Sequence, residues 1–161
     1  MTIKDILDAI NLKLCELYED FKIYVKFQAQ GFQRPAFFCE FIRDMAPERL
    51  NKSTYLRRLI FQLIYFAPTD DYYRPDRLGL YDVSDNILDA FSDGYILVSD
   101  RAPMIDISLS EVNGREAYFT VQVSYAERTA GARRAIADEA KTDRVEEIIL
   151  NERGFESDSS D

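Results

Sequence analysis

The run TYLRRLIFQLIYFA, residues 54–67, constrains this chain more than any other stretch. A strand sends successive side chains to opposite faces. Here one parity holds Leu56, Ile60, Ile64 and Phe66, and the other holds Leu59, Phe61, Leu63 and Tyr65. Both faces are apolar, as in a strand from the middle of a sheet. A helix competes for the same residues. The Tyr, Phe and Ile content, and the Pro68 that follows, favour the strand.

A second aromatic run poses the same problem. In QGFQRPAFFCEFI, residues 30–42, Phe37, Phe38, Phe41 and Ile42 fall on both parities straight after Gly31 and Pro35. If residues 36–45 form a strand, something must cover two of its faces.

The remaining pattern is mixed. Thr2 caps a helix with Asp5 in its first turn, and Ile3, Ile6, Leu7, Ile10, Leu14 and Leu17 recur at helical spacing over about residues 3–19. Residues 22–28, KIYVKFQ, alternate as a strand with one wet face, and Gly31 and Pro35 mark a turn. Residues 47–53 and 68–79 read as polar loops. A second helix is predicted over 80–91, on Leu80, Val83, Ile87, Leu88 and Phe91, with Asp93-Gly94 ending it. YILVSD reads as a short strand. Residues 103–112 and 115–126 alternate on either side of Asn113-Gly114, a two-residue hairpin signal. Beyond Arg128 the chain is charge-rich, and Ile136, Val145, Ile148 and Ile149 draw only a weak helical stripe before the polar ESDSSD end. The order predicts an α+β fold: a mainly antiparallel sheet, two helices packed on one of its faces, and a charged C-terminal tail, partly helical or disordered.

Composition narrows the chemistry. A chain of 161 residues fits one domain. Its net charge of −9 argues against a grip on nucleic-acid phosphates. There is no histidine, which removes the commonest general base and most zinc sites, and no glycine-rich phosphate loop. Asp70-Asp71 and the ladder Asp82, Asp85, Asp89 read as a solvated loop and a solvated helix face before they read as a cation site or an acid–base pair. Cys15 and Cys39 lie far apart and read as buried free thiols in a reducing compartment. The start MTIKDILDAI carries charge from position 4, and no window approaches about 18 uninterrupted apolar residues, so a cytoplasmic chain is expected.

Arg57-Arg58 interrupts the apolar third strand. A strand end at a solvated edge explains it, and so does a pair with an acidic loop such as Asp70-Asp71 of another subunit. Arg133-Arg134 is flanked by acids and too small for a nucleic-acid patch; the tail around it is either solvated or a helix that docks on a partner.

Taken in series, these blocks resemble the tail terminator, or tail completion, proteins of long-tailed bacteriophages and prophages. The features that carry the resemblance are QGFxxPxFF, with Gln30, Gly31, Phe32, Pro35, Phe37 and Phe38, and YxRRxxFxLxYF, with Tyr55, Arg57, Arg58, Phe61, Leu63, Tyr65 and Phe66. DNILDAF and NGREAYFTVQVSYAERT follow in order. The similarity covers residues 1–128, leaving 129–161 as a charged extension. The stretch 93–103 is long for the pattern and inherits nothing from it.

The resemblance implies a structural protein without catalytic residues or cofactors. It implies a ring, commonly of six copies, on the head-proximal end of the tail tube in the virion, assembled in the host cytoplasm. Such a ring stops tube polymerisation and offers a surface for head joining. Its partners are further copies of itself, the tube protein and a head-completion or connector protein, with no membrane involved. DNA passes through its channel without specific binding. Six copies of a −9 chain sum to about −54, which would repel DNA from a channel wall. Residues expected at assembly contacts are Arg57, Arg58, Asp70, Asp71, Tyr72, Tyr73 and Arg74, and the loops 68–79 and 93–103 are the places expected for such contacts. Two rivals stand beside this reading: another phage neck or head-joining protein, and a small α+β ligand-binding module or enzyme, which predicts one concave pocket lined by perturbed carboxylates.

Overall fold

The structure, a computed structural model, describes residues 1–24, 33–69 and 76–140. Its elements are α1 (Ile3–Leu17), β1 (Lys22–Tyr24), β2 (Ala36–Asp44), β3 (Glu48–Arg49), β4 (Thr54–Phe66), α2 (Arg77–Ala90), β5 (Met104–Asn113) and β6 (Glu116–Arg128). A third helix, α3, begins at Ala130 and is described to residue 140. The fold is α+β. The six strands form one sheet in the order β1-β2-β4-β6-β5, with β3 also pairing β4.

Two expected details change. The sheet is mixed, because β1 runs parallel to β2, with Lys22 beside Ala36 and Tyr24 beside Phe38. Turn signals at Gly31 and Pro35 say that the chain bends; they do not say whether it doubles back beside the strand or returns to its start. Among the described residues the helices number three rather than two, α3 opening the charged tail that was expected to be partly helical or disordered. The long strand predicted at 54–67 is β4, and the competing helix is absent.

The chain divides into two compact units, one of Met1–Pro47 with Arg57–Tyr125, the other of Glu48–Leu56 with the chain from Ala126. In the first, α1 starts at a capping box: Asp5 N–H donates to Thr2 Oγ1 at 3.2 Å, and Thr2 N–H donates to Asp5 Oδ2 at 2.6 Å. Ile6, Ile10 and Leu14 of α1 and Leu80 and Ile87 of α2 pack on one sheet face. That face is built from Phe37, Leu59, Phe61, Leu63, Tyr65, Phe119, Val121 and Val123. Phe21 stacks on Tyr18 at 4.5 Å and on Tyr65 at 5.9 Å, which closes the core beside β2.

The opposite face is graded. Ala36, Phe38, Ile64 and Phe66 form a second, smaller buried cluster with Tyr24 and Tyr118 packed against it. Arg34 lies over the Phe66 ring at 5.3 Å, pairs with Glu116 at 3.1 Å and donates to the carbonyls of Ala67 and Arg115. Further along, the same face turns polar: Glu40 pairs with Gln62, Ser108 with Thr120, and Asp106 with Gln122. The expectation of a sheet apolar on both sides therefore holds at one end only. On β4 the apolar face gives out at Leu56 and Ile60, which are only partly buried.

Antiparallel pairing joins β4 to β6: the Ala67 N–H just after β4 donates to Arg115 O just before β6, at 2.9 Å. The β5–β6 hairpin forms as expected, but its ladder closes on Asn113 and Glu116, so the two turn residues are Gly114 and Arg115. Gly114 supplies the positive φ of +59 that the first turn position requires. The expected strand at YILVSD is instead half of a small hairpin. Tyr95 bridges Met104, Val98 bridges Arg101, and Ser99 turns the chain at φ +56.

In the second unit, β3 pairs Glu48 with Leu56 and Arg49 with Tyr55, where a polar loop was expected. Asn51 Oδ1 accepts from Ser53 N–H at 2.9 Å and holds the turn between the two strands. Thr129 caps α3, its Oγ1 accepting from Ala132 N–H, and Arg133 pairs with Glu127 at 3.3 Å.

Candidate assembly surface

Alternation sends Arg57 and Arg58 to opposite faces of β4. Arg57 shares the parity of Leu59 and Phe61 and is only partly buried. Its Nε and Nη2 lie 2.8 and 2.7 Å from Asp44 Oδ2, and its Nη1 donates to Tyr125 Oη at 3.0 Å. The Asp44 hydrogen bond, ahead of the Tyr125 contacts, holds the Arg57 pKa above its ordinary value. Arg101 lies over the same Tyr125 ring at 5.3 Å. Arg57 is thus paired inside its own chain.

The other sequence-singled residues divide by role. Phe37, Phe61 and Tyr65 are core, and Phe38 lies in the smaller cluster. Pro35 leads directly into β2, and Tyr55 is a ladder residue of the second unit. Gln30, Gly31, Phe32, Asp70, Asp71, Tyr72, Tyr73 and Arg74 lie outside the described residues. Of the loop expected over 68–79, residues 77–79 are the first turn of α2, because Asp76 caps it and accepts from Gly79 N–H at 3.0 Å.

Reactive chemistry finds little foothold. Burial pushes the Cys39 thiol up to about 12, so it is an inert core residue. Cys15, expected to be buried, is exposed on α1. Burial also raises Tyr65 to about 12, and the Glu116 hydrogen bond raises Tyr118 to about 12. Among the described residues no three Cys, Asp or Glu side chains cluster as metal ligands, and no helix is long and apolar enough to cross a membrane.

The surface offers apolar contact instead. A groove of about 310 Å³ runs between α1 and residues 93–97, lined by Leu12, Lys13, Glu16, Asp93, Tyr95 and Leu97 among others. The 95–104 hairpin buries Ile96 and Val98 and turns Tyr95 and Leu97 outward. Leu12 and Leu97 are 62% and 69% exposed, and on α2 Leu78 reaches 77%. None of the three was singled out from sequence. Leu12 sits between the core positions Ile10 and Leu14, and Leu78 precedes the α2 stripe, so each looks like an ordinary helical apolar residue until its direction is known.

No curated protein matches the chain. The family model described as phage tail terminator protein matches residues 5–133, a span that holds α1 from its third residue, α2, all six strands and the start of α3. On that match the chain belongs to the phage tail terminator proteins.

Proposed function

We propose that this protein forms a ring, hexameric in this reading, that caps the head-proximal end of the tail tube. The cap ends tube polymerisation and presents the surface to which the head joins. The observation that carries the proposal is the family match over residues 5–133. Leu12 and Leu97, exposed side by side on one groove, support it, because apolar side chains grouped on a small protein's surface mark contact sites. In this reading residues 1–128 are the ring-forming body and 129–161 an extension.

The mechanism is one of interfaces rather than catalysis. A tube grows by repeating a single contact. A cap matches that contact on one side and differs on the other, so growth stops there. Apolar burial supplies affinity, and charge pattern rejects wrong partners. Arg58 and residues 70–74 are the further contacts this reading assigns. The partners are the tube protein below and a head-completion or connector protein above, within the virion. A net charge of −9 per copy lets DNA pass a channel wall without holding to it.

Electron microscopy of the purified protein, alone and with isolated tail tubes, tests this. Rings seated on one tube end are expected, and phage lacking the protein should make overlong tubes. Tubes of normal length left unattached to heads would move the protein to the joining step instead.

A further inference from the structure

We propose that the ring closes through a knob and a groove: Leu78 of one copy seats between Leu12 and Leu97 of the next, with Arg77 set against Glu16 and Asp93. This contact rests on the ring reading above. Leu78 is the most exposed large apolar side chain among the described residues. It projects from the first turn of α2, away from the inward Leu80, Ser84 and Ile87. The groove has apolar sides in Leu12 and Leu97 and carboxylates in Glu16 and Asp93.

The charges alternate on both parts. Along α2, Arg77 is followed one turn beyond Leu78 by Asp82 on the same side. In the groove, the two carboxylates are accompanied by Lys13, whose Nζ sits 5.0 Å from the Phe91 ring centre. Arg77 fits the carboxylates and Asp82 fits Lys13. Two copies of an acidic chain can then approach without like charges meeting at the contact.

Placement excludes closure within one chain. The groove lies at Tyr95, bridged to Met104, the first residue of β5. The knob lies at the other end of β5, where Arg77, Tyr81, Val112 and Gly114 line one hollow. A strand from Met104 to Asn113 spans roughly 30 Å. Different patches at opposite ends give head-to-tail contacts, and such contacts close into a ring when the rotation permits.

Crosslinking tests it. In a Cys15→Ser background, Leu78→Cys and Leu97→Cys proteins are prepared separately and treated with a short bismaleimide in the presence of tail tubes. Neither alone should crosslink, and their mixture should give covalent dimers. A protein carrying both substitutions should give a ladder ending at the ring. Arg77→Glu should lower the ring fraction by about tenfold, and adding Glu16→Lys and Asp93→Lys should restore it. Unchanged thermal midpoints confirm that each variant folds. Crosslinking of Leu78→Cys alone overturns the contact, as does a wild-type ring fraction in Arg77→Glu together with an uncrosslinked mixture. In both cases the ring reading stands. Wild-type protein that forms no ring, free or on tubes, overturns both.

Discussion

Arg57 and Asp44 pair on neighbouring strands, with two guanidinium nitrogens of Arg57 within 2.8 Å of one carboxylate oxygen. The third nitrogen donates to Tyr125 on the other side, so one side chain ties β2, β4 and β6 together. Asp44 is 40% exposed and Arg57 24%, so solvent screens the pair and its worth is modest. Arg57→Lys keeps the charge but loses the fork that serves both partners. We expect it to destabilise by about 1 kcal/mol, a fall of roughly 2–4 °C in the thermal midpoint. An unchanged midpoint would show that the Tyr125 bond adds nothing.

Asp5 gives a pH test. The Thr2 N–H and then the Thr2 hydroxyl hold its carboxyl below the ordinary 3.8. A depressed folded pKa contributes stability that is present above the unfolded value and lost as pH falls through the folded one. The α1 start should therefore loosen only below about pH 3.8. Carboxyl chemical shifts across pH 2–6 should place the Asp5 midpoint under 3.8, and Thr2→Ala should raise it. A midpoint unmoved by Thr2→Ala would remove the hydroxyl as a cause and leave the Thr2 N–H, which the substitution keeps.

At the start of α2 two residues are coupled. A Cβ on Gly79 would collide with Asp76 Oδ2. Gly79→Ala must push the cap aside, losing about 1 kcal/mol of capping while gaining about as much helix propensity. Alone it should be close to neutral. In an Asp76→Ala background it should stabilise by about 0.5–1 kcal/mol. Additive behaviour in denaturant unfolding would contradict the coupling.

The two thiols should separate cleanly. Cys15 is exposed and Cys39 is buried with its pKa near 12. A maleimide should label one thiol in the native protein and both after unfolding. Mass spectrometry of the native product should place the label on Cys15; label on Cys39 at native pH would show the core opening.

Core and rim differ sharply along β2. Phe37 is fully buried against Phe21 and Tyr65, so Phe37→Ala should cost about 3–5 kcal/mol. Ile42, five residues on at the bulge between Phe41 and Arg43, is 48% exposed. Ile42→Ser should stay within about 0.5 kcal/mol of wild type. Urea midpoints for the pair check both.

Much of this fold is written in local pattern. The Thr2 and Asp5 box with its apolar stripe is enough to place α1, and the parity of Phe119, Val121 and Val123 is enough to place the inner face of β6. Strand direction is different, because period two is the same whichever way a neighbour runs. The parallel β1–β2 pair was therefore invisible. Burial direction fails for a similar reason: Tyr95 and Leu97 look like the core residues Ile96 and Val98 until the 95–104 hairpin assigns the sides. At the candidate surface, the charge of Arg57 is plain in the sequence but its pairing within the chain is not. Leu12, Leu78 and Leu97 are not legible there, because an exposed leucine has no signature in sequence.

The contacts of β4 with β6 have one more consequence. Arg57 meets Tyr125, and Ala67 meets Arg115, with the same count of residues between the two points on each strand. The pair works like two rivets through one seam. Insertion of a single residue between them on β6 would trade Phe119 and Val121 for Thr120 and Gln122 against the helices, and on β4 it would trade Phe61 and Leu63 for Ile60 and Gln62. Length changes during divergence are thereby pushed out of this seam and into the turns beyond its ends.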